Sequence, residues 1–171
     1  MIRPDPKPAP RVPKARKPIA RRAKPRTVKT SCVTRGCKRA PTAGTLCLTH
    51  AKQKADALWG AVVRQDHCEL ANVGTRCAGP IQACHGFSRG YMGTRYLLEN
   101  GFSGCASHNF YAEIHPLEWD QYLRKQWGEE KYARLRDLAL NFGKNGGHTD
   151  YAEVIARLTG QRPGNEDRNG S

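Results

Sequence analysis

The sequence lacks any apolar run long enough to cross a lipid bilayer, which takes about 20 apolar residues in succession. It also lacks an apolar segment behind its first basic residues, which a secretory signal would have. We therefore expect no membrane association and a cytoplasmic location. In such a reducing compartment the seven cysteines are expected to be metal ligands or buried thiols rather than disulfides.

Acidic residues and large apolar side chains are nearly absent from residues 1–31. This segment has eleven Lys/Arg and seven of the eleven prolines, and its single acidic residue is Asp5. So little apolar surface cannot offset the entropy cost of ordering, and we predict a disordered basic arm. The arm supplies +10 of the net charge of +14, which indicates a polyanionic partner such as DNA. A solubilising tail or a segment that docks on another protein is the alternative.

The segment CVTRGCKRAPTAGTLCLTH after the arm contains two tight pairs of possible metal ligands. Four nitrogen and sulfur ligands in two pairs satisfy tetrahedral zinc and leave no open position, so the site would be structural. The alternative is a set of unrelated thiols in a loop. We predict a small zinc finger whose ligands are Cys32, Cys37, Cys47 and His50.

Three further cysteines and a histidine follow in an order that suits a second structural zinc site: Cys68, Cys77, Cys105 and His108. Their order along the chain is the basis of this grouping. In an alternative set, His67 completes the zinc site and His108 faces the functional site. The remaining thiol, Cys84, is interpreted as a small buried apolar side chain, with a soft metal ligand or a redox-sensitive thiol as alternatives.

Helical spacing of apolar residues predicts a helix over 51–66, which leaves the first zinc site. A helix of about two turns is expected after Cys105. From residue 116 onward three more helical stretches are predicted. The first ends near Gly128, the second ends in the run of glycines before His148, and the third is capped at its start by Asp150.

Between the two halves of the second site lie ACHGFSRG and RYLLEN; GCASHN contains the second half, and PLEW and WGEEKYARL follow. These motifs, from about residue 68 to 140, resemble the HNH (ββα-metal) endonucleases, in particular phage NinG-like recombination nucleases. The resemblance implies that His85 is the general base, that Asn100 fixes the loop, and that Asn109 binds the catalytic divalent cation. Many relatives have an Asp close before the histidine, where this chain has Gln82, Ala83 and Cys84.

The residues themselves are suited to the same chemistry. A histidine with an ordinary pKa near 6.5 can accept a proton from water at neutral pH, and Mg²⁺ can hold a scissile phosphate. Arg89 and Arg95 flank the expected two-stranded ribbon and are candidates for contacts with the DNA backbone. For each arginine a solvated surface charge is the alternative.

We therefore expect an α+β protein with a zinc-stabilised ββα-metal core and flanking helices, behind a zinc finger and a disordered arm. The expected function is metal-dependent cleavage of DNA in phage recombination, replication or packaging, with two structural Zn²⁺ ions and a catalytic Mg²⁺ or other divalent cation. Phage proteins that bind the arm are possible partners, and the oligomeric state is left open. The alternative function is a non-catalytic zinc-stabilised adaptor that binds nucleic acid. The expected segments are the arm (1–31), the zinc finger and linker helix (32–66), the nuclease core (67–115), the C-terminal helices (116–160) and a tail (161–171).

Overall fold

The computed structural model describes residues 31–161. The predictions made for residues 1–30 of the arm and 162–171 of the tail lie outside these residues. Within the described part the chain forms four α-helices and one two-stranded antiparallel sheet. The expected α+β class is confirmed.

The first helix, α1, spans Leu48–Val63 and starts directly after Cys47. The preceding residues form turns and a single bridge between Ala43 and Leu46. The helix therefore begins three residues before the predicted start at 51. Its buried positions recur at helical spacing: Ala51, Ala55, Leu58, Trp59, Gly60 and Val63.

The sheet is a ribbon of β1 (Ile81–His85) and β2 (Gly101–Cys105), in which His85 lies opposite Gly101. A Cβ atom at position 101 would lie 2.7 Å from Val63 Cγ2 and 3.0 Å from a carbon of the Trp59 ring. Glycine at this position therefore allows α1 to lie directly against the ribbon. The connection between the strands ends in a short 3-10 helix, Leu98–Asn100.

Helix α2 (Ala106–Ile114) starts at the end of β2, as the sequence predicts. Helix α3 (Pro116–Asn141) is interrupted at Gly128, whose φ of 75° and ψ of 160° are not helical, so the predicted end of one stretch at this glycine is confirmed. Helix α4 (Tyr151–Gly160) is capped by the Asp150 side chain, which accepts hydrogen bonds from the backbone N–H groups of Ala152 and Glu153. Among the helices within residues 31–161, none combines the length and the apolar character that a membrane span requires.

Two apolar clusters hold these elements together. One joins the ribbon to α3, and its buried members are Leu70, Val73, Cys84, Phe102, Trp119, Leu123 and Tyr132. The other joins α1 to the strand connection and to α4, and its buried members are Ala55, Leu58, Trp59, Val63, Tyr96 and Leu158. Full burial of one such large side chain contributes roughly 1.5–3 kcal/mol, so the second cluster fixes α1 to the rest of the protein.

Candidate functional site

Cys32, Cys37, Cys47 and His50 come together before and within the first turn of α1, and their ligand atoms all lie within 4.8 Å of one another. The His50 Nδ1 atom is 3.3 Å from Cys32 Sγ and 3.4 Å from Cys47 Sγ. The Cys37 and Cys47 sulfur atoms are 3.8 Å apart. Tetrahedral zinc requires separations of about 3.8 Å between sulfurs and about 3.6 Å between sulfur and nitrogen. The four residues therefore fit a zinc ion.

The second group forms around His108, whose side chain is fully buried. Its Nδ1 atom lies 3.0 Å from Cys105 Sγ, 3.4 Å from Cys68 Sγ and 3.8 Å from Cys77 Sγ. The opposite ring nitrogen, Nε2, donates a hydrogen bond of 3.0 Å to the Thr75 carbonyl. This bond fixes the tautomer in which Nδ1 carries the lone pair that a metal needs. The second cluster therefore also fits zinc.

The thiols of the second cluster differ in acidity because of their surroundings. Cys77 is exposed as a residue, but desolvation of its sulfur, together with the neighbouring thiols Cys68 and Cys105, raises its pKa to about 11. Burial also acts to raise the pKa of Cys105, but backbone hydrogen bonds at His108 and Ala78 act against it and lower that pKa to about 6. Three thiolates this close repel one another unless a cation neutralises them. Zinc binding would therefore release protons and contribute directly to folding.

The alternative set with His67 is not the arrangement in the structure. His67 is largely exposed and its Nδ1 atom lies 2.9 Å from the Asp66 carboxylate, outside the cluster of ligand atoms. Cys84 is buried in the ribbon's apolar cluster, and burial raises the pKa of its thiol to about 12. Its environment agrees with the interpretation of Cys84 as a small apolar side chain.

His85 lies at the end of β1, at the edge of an open cleft with a volume of about 830 Å³. One face of its ring stacks on Trp59 of α1, with ring centroids 3.8 Å apart and planes inclined by 12°. Its Nε2 atom is 3.0 Å from the backbone carbonyl oxygen of Arg95. A carbonyl can only accept, so Nε2 carries the proton and Nδ1 keeps the lone pair.

The surroundings of His85 favour the neutral imidazole. Burial is the largest effect, and with the positive charges of Arg95 and Arg89 it lowers the pKa of His85 to about 4, against the opposing effects of the Arg95 carbonyl and Asp56. At neutral pH the ring is therefore unprotonated at Nδ1 and able to accept a proton.

Asn100 is fully buried and ties together the connection between the strands. Its Oδ1 atom accepts a hydrogen bond of 2.7 Å from the Phe87 N–H, and its Nδ2 atom donates to the carbonyls of Phe87 and Thr94 at 3.0 and 3.2 Å. All of these partners belong to the chain between His85 and Asn100. The contacts correspond to the loop-fixing role expected of Asn100.

Asn109 of α2 lines the same cleft. Its Nδ2 atom donates a hydrogen bond of 3.1 Å to Oε1 of Gln82 on β1. This bond leaves the Asn109 Oδ1 atom free to act as an acceptor or a ligand. Glu113 lies one helical turn further along α2 and also lines the cleft. Oxygen atoms of this kind are the ligands that Mg²⁺ and similar hard cations prefer.

The two arginines predicted to contact DNA have different environments. Arg95 is buried, and its Nε and Nη2 atoms donate hydrogen bonds of 2.9 and 2.8 Å to the two carboxylate oxygens of Asp56. Its guanidinium is therefore committed to a bidentate ion pair within the protein, and the expectation that it meets a phosphate needs correction. Arg89 is exposed at the rim of the cleft and remains a candidate for such a contact.

The sequence patterns did not reveal three residues of the cleft: Asp56, Trp59 and Glu113. Trp59 falls within the apolar spacing of the helix predicted over 51–66, which indicates a core position, and its contact with His85 joins positions 26 residues apart. Glu113 had a usable signal, because a carboxylate four residues after Asn109 falls on the same face of a helix.

The chain matches no family model, no curated protein and no solved structure. The fold and the site together define a class: an α+β protein with two Cys/His clusters that can each hold a zinc ion, and a cleft that contains a neutral histidine.

Proposed function

We propose that this protein is a metal-dependent DNA endonuclease of the HNH type, and that β1, β2 and α2 form its ββα-metal core. The observation that carries the proposal is the hydrogen bond from His85 Nε2 to the Arg95 carbonyl. This bond leaves Nδ1 as the basic atom, within a cleft that also contains Asn109. A half-buried, neutral histidine that lines the same cleft as possible oxygen ligands suits phosphodiester hydrolysis.

In the proposed reaction, His85 Nδ1 accepts a proton from a water molecule as the water oxygen attacks the phosphorus. The bond between the phosphorus and the leaving sugar oxygen then breaks, its electron pair stays on that oxygen, and the oxygen takes a proton from solvent water. Asn100 keeps the connection between the strands, and with it the surroundings of His85, in one conformation. Asn109 and Glu113 would hold the divalent cation. When bound, such a cation stabilises the negative charge on the phosphate and on the leaving oxygen.

Two zinc ions would have a structural role only, because each cluster already supplies four ligands. Arg89 would meet the DNA backbone at the rim of the cleft, which positions DNA without reading its sequence. The basic arm would add affinity for DNA or dock on phage proteins. We place the activity in phage recombination, replication or packaging on the strength of the sequence resemblance to NinG-like nucleases.

The test is cleavage of supercoiled plasmid and of branched DNA by the full chain, with Mg²⁺, with Mn²⁺ and with neither. We expect cleavage that depends on the cation and falls by at least about 100-fold in His85→Ala, since the base is lost. His148→Ala is the matched control, because His148 is exposed and does not line this cleft. Zinc content and DNA affinity should be unchanged in both variants.

One observation favours the alternative of a non-catalytic adaptor that binds nucleic acid. Strand β1 carries Gln82 rather than an acidic residue beside Asn109, so β1 offers no carboxylate to a cation there. Binding of DNA without cleavage under every cation condition would support the adaptor. Release of zinc or unfolding in His85→Ala would show that the role assigned to His85 is wrong.

A further inference from the structure

Helix α1 reaches from the first Cys/His cluster to the candidate base. Its first turn contains His50 of that cluster, and its later turns contribute Asp56, Trp59 and Gly60 to the cleft. The sequence predicts a linker helix here, but the structure places one of its aromatic rings directly on His85.

Asp56 holds the segment that carries the hydrogen-bond partner of His85. Its two carboxylate oxygens accept hydrogen bonds from Arg95 Nε and Nη2, and Oδ1 also accepts one of 2.9 Å from the Tyr96 hydroxyl. The Arg95 guanidinium donates in addition to the Arg89 carbonyl. One carboxylate therefore fixes two consecutive residues, 95 and 96, and the first of them presents its carbonyl to His85.

Trp59 restrains the imidazole from a second direction. Its ring lies flat against His85, and its Nε1 atom donates a hydrogen bond of 3.2 Å to the Leu97 carbonyl. Trp59 is 3 % exposed, so the indole itself is held by the apolar cluster around α1. The imidazole plane is thus set by the indole, and rotation within that plane is set by the Arg95 carbonyl.

From these contacts we infer that Asp56 and Trp59 are positioning residues for His85: Asp56 through Arg95, and Trp59 by direct stacking. This inference depends on the proposed function in one respect: it takes His85 to be the base of the reaction. Neither residue needs to touch DNA or the cation. Both act by holding Nδ1 of His85 in one direction and one tautomer.

The test compares Asp56→Asn with Asp120→Asn in the full chain. Asp120 is a matched control, because its carboxylate also lies between an arginine and a tyrosine, Arg124 and Tyr132, and it does not line the cleft. The first measurement is the tautomer of His85, from ¹⁵N NMR of the histidine side chains at neutral pH. The second is kcat and KM for cleavage of plasmid DNA.

We expect wild type and Asp120→Asn to keep a single Nε2-protonated form of His85. In Asp56→Asn the two tautomers should mix, and kcat should fall about 10- to 100-fold with KM retained, since small misplacement of a reacting group costs this much. Arg95→Lys should change the tautomer in the same way, because lysine cannot form the bidentate pair, and it serves if Asp56→Asn does not fold. Trp59→Phe should be milder, because a ring remains to stack on His85.

An unchanged His85 tautomer and an unchanged kcat in Asp56→Asn would overturn the inference. So would an equal loss in Asp120→Asn, which would indicate general destabilisation. If wild type does not cleave DNA but Asp56→Asn still alters the tautomer, the positioning role stands and the proposed nuclease function fails. If wild type cleaves DNA and Asp56→Asn changes neither tautomer nor kcat, the nuclease function stands and the positioning role fails.

Discussion

At the scale of single residues, the environment of His85 has a consequence for pH dependence. Its pKa is lowered to about 4, mainly by burial, so the imidazole stays neutral in the folded protein down to about pH 5. An ordinary histidine with a pKa near 6.5 would already be mostly protonated there. We expect an NMR titration of the full chain to give a His85 midpoint near pH 4. At a fixed cation concentration, protonation of His85 should not lower kcat/KM between pH 7 and about 5.5.

The lowered pKa of His85 also makes the free energy of unfolding depend on pH. Between pH 6.5 and 4 the unfolded chain binds a proton at this histidine that the folded chain does not, so the free energy of unfolding decreases as the pH falls through this range. His85→Gln should remove this part of the pH dependence, which urea unfolding at pH 7 and pH 5 would measure. A His85 midpoint near 6.5 would show that desolvation does not disfavour its charged form as expected.

Glu113 is a carboxylate at the cleft, where β1 has no acidic residue before His85. It lies one turn after Asn109 in α2, and both side chains line the cleft. We expect Glu113→Gln to weaken Mn²⁺ binding about tenfold or more, since charge on the ligands sets the affinity for a hard cation. Titration of zinc-loaded protein with Mn²⁺, followed by electron paramagnetic resonance, measures this without a cleavage assay.

Glu118→Gln is the control for this measurement. Glu118 lies near the start of α3, where its carboxylate is 3.9 Å from His115, and it does not line the cleft. Mn²⁺ affinity should be unchanged in this variant. Equal affinity in Glu113→Gln and wild type would remove Glu113 from the proposed site and leave Asn109 as its one ligand from α2.

At the scale of elements, the second Cys/His cluster joins the segment before the ribbon, the end of β2 and the start of α2. We expect Cys68→Ser to lose about one of two bound zinc ions and to unfold the ribbon and α2, because structural zinc contributes roughly 10–16 kcal/mol to small folds. Cys84→Ala should keep both ions, since Cys84 lies outside both clusters. Zinc quantified after denaturation and circular dichroism of both variants check this, and full zinc content in Cys68→Ser would exclude Cys68 as a ligand.

Elements are also where the sequence was most informative. Apolar spacing, Gly128 and the Asp150 cap are local signals, and the corresponding helices and helix ends are confirmed. The two ligand groups were found by spacing for the same reason, since each contains a pair of residues close in the chain. The position of α1 against the ribbon was not predictable in this way. It depends on the absence of a side chain at Gly101 and on an ion pair across 39 residues, between Asp56 and Arg95.

The environment of Arg95 depends on the same long-range ion pair. In the sequence Arg89 and Arg95 are equivalent basic residues that flank the ribbon, and no local pattern separates them. Their roles differ because Asp56 of α1 reaches Arg95, which buries one guanidinium and leaves the other at the surface. A charged side chain near a site is therefore available to a ligand only if no partner within the protein already holds it.

At the scale of the whole molecule, charge is distributed unevenly along the chain. Residues 1–31 carry +10 of the +14, and binding of two Zn²⁺ to six thiolates would lower the total only by two. If the arm contacts DNA phosphates, its removal should weaken DNA binding and reduce the dependence of affinity on salt. Each lost phosphate contact changes the slope of log K against log[salt] by about 0.9 on duplex DNA.

We expect a chain that lacks residues 1–31 to bind duplex DNA more weakly at low salt and to approach the full chain's affinity as salt increases. A control chain in which the eleven Lys/Arg of the arm are replaced by Gln, with its prolines kept, should behave like the deletion, because charge and not length supplies the affinity. Fluorescence anisotropy over a range of salt concentrations measures both slopes, with zinc content as the check on folding. An unchanged slope of log K against log[salt] in both chains would mean that the arm does not contact DNA. That result would favour docking of the arm on a protein partner. The same eleven charges would fit an acidic surface of such a partner.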